Sequence, residues 1–143
     1  IFIATVVIGA MAIATIRGVS NAQFSQSQVQ ATKFAQETLE QLKTIRDRNL
    51  SVSLLSGGTM PFSQFQQNAA CPDGCYFSLN QSSLSLTQVA EPGFTALSGG
   101  LRRQINLTSS ATNKEITATA IVSWTDAGGP HQANLQTIFG QIR

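Results

Sequence analysis

An uncharged apolar run at the beginning of the chain dominates its pattern of hydrophobic and polar positions. Residues 1–16 read IFIATVVIGAMAIATI, and the first charge is Arg17. A helix that crosses a bilayer needs about 20 mainly apolar residues, so this run is slightly short of a span. A signal peptide would begin with a basic segment, and a buried core helix usually keeps a polar stripe. We therefore interpret the run as a helix embedded in lipid or in protein. Because the chain starts within the apolar run and without a methionine, we expect further residues before Ile1.

Beyond Arg17 the pattern changes from apolar all round to amphipathic. One face collects residues at steps of three and four, while Gln, Glu, Lys and Arg occupy the other. No proline precedes Pro61, so one helix can run through the first 50 residues. The members of the apolar face are Phe24, Ala31, Phe34, Thr38, Leu42 and Ile45. We predict a hydrophobic segment over residues 1–23 and an amphipathic helix over 24–49, which begins a globular domain over 24–143.

The following segment, residues 50–75, has the composition of a connecting loop and ends in two cysteines. Cys71 and Cys75 enclose Pro-Asp-Gly, which is a strong turn signal. A zinc site is the first alternative, but it needs four ligands and usually a second Cys or His pair. A redox motif of the thioredoxin type has two intervening residues, whereas this one has three. We predict a disulfide between Cys71 and Cys75, which implies an oxidising, extracytoplasmic location.

From residue 76 onward, apolar and polar positions alternate with a period of two. Such alternation, rich in Thr, Val and Ile, predicts strands with one buried face, and the close turns predict antiparallel neighbours. The predicted fold class is α+β: a long N-terminal helix, hydrophobic in its first half and amphipathic in its second, packed on an antiparallel sheet over residues 76–143. We expect four residues to join helix and sheet: Phe34, Leu42, Ile45 and Trp124.

The composition limits the chemistry that the chain can perform. Only 11% of the 143 residues are charged, against about 25% in ordinary soluble proteins, and the net charge is +2. The single histidine, His131, follows Gly-Gly-Pro, and we expect it in a turn. No GxSxG motif is present. We therefore predict no enzyme activity, no cofactor and no metal. Arg102 and Arg103 could contact DNA, but we interpret them as solvated charges at a strand edge.

Four stretches of the chain together resemble type IV pilins and pilin-like subunits, in particular the minor-pilin and pilin-V-like groups. Residues 1–16 resemble the later part of the pilin N-terminal helix, and residues 31–49 resemble the AQE…LE…IRD.N segment of pilin-like chains. Residues 102–105 and 121–124 resemble sheet strands of those groups. One position departs from the pattern, because mature pilins carry a glutamate a few residues from the N-terminus and the fifth residue here is Thr5. Either about ten residues precede Ile1 or the subunit is atypical, and we favour the first, because about ten further apolar residues would make the run long enough to span a bilayer.

The resemblance implies a structural subunit of an extracellular type IV pilus-like filament, which polymerises through its N-terminal helix. The alternatives are a pseudopilin of a type II secretion system and a membrane-tethered binding or adhesion domain that does not polymerise. The expected partners are copies of the same chain, other pilin subunits and the assembly machinery. The implied location is the inner membrane before assembly and the cell surface afterwards. The residues expected to pack in the filament core are Ile3, Val6, Val7, Gly9, Ala10, Ala12, Ile13 and Ile16.

Overall fold

The computed structural model describes residues 2–68, 71–112 and 114–140, and for residues 2–10 and 12 it describes the backbone without the side chains. One long helix precedes eight strands, a short helix and a 3₁₀ turn. In chain order the elements are α1 (Phe2–Asp47), β1 (Ser51–Ser53), β2 (Thr59–Pro61), α2 (Phe62–Gln67), β3 (Cys75–Asn80), β4 (Ser85–Val89), β5 (Thr95–Ala96), the 3₁₀ turn (Ser98–Gly100), β6 (Arg102–Ser109), β7 (Ile116–Asp126) and β8 (Gly129–Phe139).

The strands form a single mixed sheet, which corrects the predicted fold class. Their order is β2-β1-β4-β3-β6-β7-β8, and β5 pairs with one end of β6. Most neighbours are antiparallel, but β1 pairs parallel to β4, with Val52 opposite Leu86. The prediction of a helix on an antiparallel sheet is therefore wrong.

The reason for the error lies in the segment 50–75, which was expected to be a loop. It contains β1, β2 and α2, so the sheet begins immediately after α1 rather than at residue 76. The β1 strand reaches β4 only after the chain has passed through β2, α2 and β3. Alternation along a strand reports which face is buried, but it carries no information on a pairing between strands that are distant in the chain.

A Schellman motif ends α1 and directs the chain into β1. Asn49 adopts a left-handed conformation, with φ of 51°. The Leu50 N–H donates to the Ile45 carbonyl at 2.9 Å, and the Asn49 N–H donates to the Arg46 carbonyl at 3.0 Å. This hydrogen-bond pair satisfies the last carbonyls of the helix. The Asn49 side chain then accepts a hydrogen bond from the Ser63 N–H at 2.8 Å, which fixes the helix end against α2.

The second half of α1 packs on the sheet, whereas the described side chains of the first half, residues 11 and 13–24, are exposed. The fully buried residues of α1 lie at steps of three and four: Ala31, Ala35, Thr38, Leu42 and Ile45. They face β7 and β8. In one part of the core the small side chains of α1 meet Ala120, which lets the helix backbone approach the sheet closely. In the other part, Leu42 and Ile45 join four buried phenylalanines.

In the part of the chain that the structure describes, no helix is both long enough and apolar enough to span a membrane.

The buried phenylalanines should carry a large share of the stability. Phe65 has no exposed surface, and its ring meets that of Phe77 edge to face at 5.6 Å. We expect Phe65→Ala to lower the free energy of unfolding by about 3–5 kcal/mol, because it removes buried surface and leaves a cavity. Phe94→Ala is the matched control, since that ring is 45% exposed. Equal losses for the two variants in urea unfolding would contradict this view of the core.

Candidate functional site

The described first part of α1 projects from the sheet with large apolar side chains exposed. Met11 is 66% exposed, Ile13 56%, Ile16 69% and Val19 54%. At about 100° per residue, these four side chains point in directions separated by steps of roughly 60–80°. They therefore surround more than half of the helix and do not form a single stripe. A helix that is apolar on several sides is usually buried among several neighbours.

Only two of the predicted filament-core residues have described side chains. Ile13 and Ile16 both project into solvent. The side chains of the others lie outside the described residues, and their packing remains a prediction. These residues are Ile3, Val6, Val7, Gly9, Ala10 and Ala12. The structure adds two exposed residues that the prediction did not include, Met11 and Val19.

An aromatic cluster joins α1 to the β7–β8 hairpin where the helix leaves the sheet. The Phe24 ring meets the His131 ring nearly edge to face at 4.9 Å and lies 6.2 Å from Trp124. His131 stands directly opposite Trp124 in the β7–β8 ladder, so His131 belongs to a strand and not to the expected turn. Nearer the N-terminus, a groove of about 350 Å³ separates Ala127 in the hairpin turn from Ile16 and Val19 on the helix.

Asp126 holds the end of this hairpin together through two hydrogen bonds. Its Oδ1 accepts from the Gly128 N–H at 2.7 Å and lies 3.0 Å from Nε2 of His131. The hydrogen bond from Gly128 is the main cause of a lowered pKa of Asp126. Desolvation opposes the shift, and the His131 ring adds to it. The ionised carboxylate therefore helps to hold His131, and with it the contact to Phe24.

The four residues that were expected to join helix and sheet all lie where the second half of α1 packs on the sheet. Leu42 and Ile45 have no exposed surface, and Trp124 is 7% exposed. Phe34 is half-buried and packs at the margin of the core. Ala35, one residue further on, occupies the fully buried position instead, so the buried face of α1 is rotated slightly from the predicted one.

A buried arginine on β6 corrects the interpretation of Arg103 as a solvated charge. Arg103 is 3% exposed because it shares the inner face of the strand with Ile105. Its Nη1 donates to Thr38 Oγ1 at 3.4 Å and its Nη2 to the Leu79 carbonyl at 3.3 Å, whereas Nε has no acceptor. Burial lowers the pKa of Arg103. Arg103 is thus withdrawn from any contact with DNA, and only Arg102 of the pair is exposed.

The predicted disulfide between Cys71 and Cys75 is confirmed. The Cys71 N–H donates to Ser109 Oγ at 2.9 Å, and the Ser109 N–H donates back to the Cys71 carbonyl at 2.9 Å. Gly74, inside the loop, has φ of 90°, and a side chain there would press on Asn106 and Thr108 at 3.1 Å. The disulfide loop therefore anchors the start of β3 to the end of β6.

A shallow cleft of about 350 Å³ is lined by both His131 and Ser123, but the two residues do not form a catalytic arrangement. His131 faces the helix together with Trp124, whereas Ser123 precedes Trp124 on β7 and therefore points to the opposite face of the sheet. Ser123 is thus not placed as a nucleophile for His131, although Asp126 contacts that histidine. Within the described ranges, no group of three His, Cys, Asp or Glu side chains could hold a metal ion.

We expect the stability of the hairpin to depend on pH through Asp126. Because the folded pKa lies below the ordinary value of 3.8, the ionised group stabilises the fold at neutral pH. That contribution is lost as the pH falls below 3.8 and through the folded pKa. Asp126→Asn should therefore destabilise the protein at neutral pH and have little effect once the carboxyl is protonated in acid. A carboxyl titration by NMR with a midpoint at or above 3.8 would contradict the assignment.

The buried arginine should be replaceable by an apolar residue of similar length. In the described residues no carboxylate forms an ion pair with Arg103. The negative charge of Glu37 compensates only part of the cost of burial, because the pKa of Arg103 is still lowered. We expect the free energy of unfolding of Arg103→Met to lie within about 1 kcal/mol of the wild-type value, or above it. Arg103→Ala should lower the free energy of unfolding by about 2–4 kcal/mol, because it leaves a cavity. Urea unfolding followed by Trp124 fluorescence measures both, and equal losses would contradict the expectation.

Comparisons with protein-family models, with curated proteins and with solved structures find no match to this chain.

Proposed function

We propose that the chain is a structural subunit of an extracellular filament of the type IV pilus kind, which polymerises through the first half of α1. The observation that carries the proposal is the exposure of Met11, Ile13, Ile16 and Val19 on several sides of a helix that projects beyond its own sheet. The sequence resemblance to pilin-like subunits supports the same function.

Energetics favour several neighbours around this helix over a single one. Burial of an exposed Ile, Val or Met side chain contributes about 1.5–3 kcal/mol, whereas association costs about 4–15 kcal/mol in lost freedom. Two such side chains contribute only about 3–6 kcal/mol, near the lower limit of that cost, whereas four contribute about 6–12 kcal/mol when all are covered. Because they point in different directions, complete burial requires neighbours on more than one side, as in a helical filament and not in a simple pair.

The polar character of the remaining surface suits repeated contacts between identical subunits. Only 11% of the residues are charged, so identical domains brought side by side repel one another weakly. The disulfide between Cys71 and Cys75 is of a kind that persists outside the reducing cytoplasm. It supports a location at the cell surface. Residence in the inner membrane before assembly, and contacts with other pilin subunits and assembly proteins, stay predictions.

Assembly should fail when charge is added among the exposed apolar side chains of α1. We expect the double variant Ile16→Asp, Val19→Asp to keep the wild-type circular dichroism but to lose polymers, because carboxylates resist burial among apolar helices. The double variant Asn21→Asp, Gln28→Asp is the matched control, since both residues are exposed on the same helix and, at about 100° per residue, point away from the four apolar side chains. Negative-stain microscopy and sedimentation velocity of the full chain measure the difference.

The same proposal is tested in cells that express the chain. Filaments sheared from the cell surface should contain it by mass spectrometry, and the double variant should be missing from them. A wild-type chain that is absent from sheared filaments and monomeric at all concentrations would overturn the proposal. That result would favour a binding or adhesion domain that does not polymerise.

A further inference from the structure

We propose that β8 is a second assembly surface, through which two copies of the chain pair edge to edge in an antiparallel ladder centred on Asn134. The starting observation is the place of β8 at one end of the sheet. It has 11 residues, Gly129–Phe139, and in the described part of the chain it pairs with β7 alone. Alternate residues of such a terminal strand direct their N–H and carbonyl groups away from the sheet.

The edge lacks the features that usually prevent pairing. Natural edge strands are short, charged, bulged or interrupted by proline. The ladder between β7 and β8 runs without a bulge from one end to the other, and β8 contains no Lys, Arg, Asp or Glu. Its one proline, Pro130, lies at the beginning. At the other end, Gln66 Nε2 donates to the Phe139 carbonyl at 3.3 Å. Residues 130–138 therefore form the available stretch.

The other edge of the sheet, β2, is a poor partner for β8, so we expect β8 to pair with β8 of a second copy. β2 has three residues, Thr59–Pro61, and one of them is a proline. A head-to-tail contact between β8 and the β2 edge of the next copy could therefore pair at most three residues. A two-fold contact of β8 with itself can use the whole stretch from 130 to 138. Two-fold contacts of this self-complementary kind are the commonest among homo-oligomers.

The side chains of β8 are compatible with a two-fold axis that passes through the midpoint of the strand at Asn134. In that register Gln132 stands opposite Gln136 of the second copy, and Pro130 stands opposite Ile138. The three amide residues lie on the exposed side of the strand, and Ile138 is 62% exposed. The pairing thus places amides opposite amides and covers an exposed apolar side chain, with no like charges facing each other.

This surface is separate from the projecting part of α1 and does not depend on the proposed function. The strand lies at the end of the sheet, whereas the filament proposal uses Ile16 and Val19 on the helix. A chain could therefore pair through β8 without polymerising, or polymerise without pairing.

A cysteine at the axis provides the test in the full chain. Both natural cysteines are in the disulfide, so Asn134→Cys introduces one free thiol. The Cα atoms of directly opposite residues in an antiparallel ladder lie about 4.5–5.5 Å apart, which is within the range of Cα separations in disulfides. We expect copper-phenanthroline to give at least ten times more covalent dimer than with Thr125→Cys, the control on the neighbouring strand β7. Equal dimer from the two variants would overturn the proposal.

Charge substitutions then test the register. In the Asn134→Cys background, Gln132→Lys with Gln136→Lys places like charges opposite each other and should reduce the dimer to the control level. Gln132→Lys with Gln136→Glu places opposite charges there and should retain it. Loss of dimer in both, or in neither, would overturn the register centred on Asn134.

A last variant separates failure of this proposal from failure of the filament proposal. The helix substitutions Ile16→Asp and Val19→Asp, added to the Asn134→Cys background, should leave the yield of covalent dimer unchanged, because the introduced thiol lies on β8 and not on α1. A dimer yield that falls with the helix substitutions would show that the pairing depends on α1, and would overturn β8 as a surface of its own.

Discussion

The contact between the second half of α1 and the inner face of β7 and β8 is the constraint on which the rest of the molecule depends. Ala31 and Ala35 bring the helix close to Ala120, while Leu42 and Ile45 insert among the buried phenylalanines. The fully buried residues of α1 in this contact span only 31–45. A helix of 46 residues therefore has to project beyond the sheet, and the described apolar side chains of that projection are left exposed by the domain.

The place where the helix leaves the sheet is held by aromatic and polar contacts in place of a continuous apolar core. Phe24 packs on His131, and His131 is held by Asp126 in the hairpin. The hairpin of β7 and β8 thus has two roles. Its inner face holds the helix, and its outer strand forms a long edge. The hairpin thus contributes to both proposed assembly surfaces, because it holds the helix at Phe24 and supplies the β8 edge.

Sequence patterns predicted the elements better than their arrangement. The helix, the later strands, the disulfide and three core positions, Leu42, Ile45 and Trp124, follow from periodicity and turn chemistry. The β1–β4 pairing does not, because it joins distant segments and leaves no periodic trace. The burial of Arg103 could have been read from its alternation with Ile105, but its charge argued for solvent. Asp126 and His131 meet only because the hairpin closes between them.

By itself, the sequence determined the long helix, the alternation of inward and outward positions along the later strands, and the absence of charge from its first 16 residues. These are local properties, since backbone periodicity and side-chain hydrophobicity act within a few residues. Only the tertiary structure decided that β1 joins the sheet in parallel, that Arg103 is enclosed and that β8 ends the sheet as an uncharged edge. Each of these depends on which distant segments pack together, and burial at one position is settled by neighbours far away in the chain.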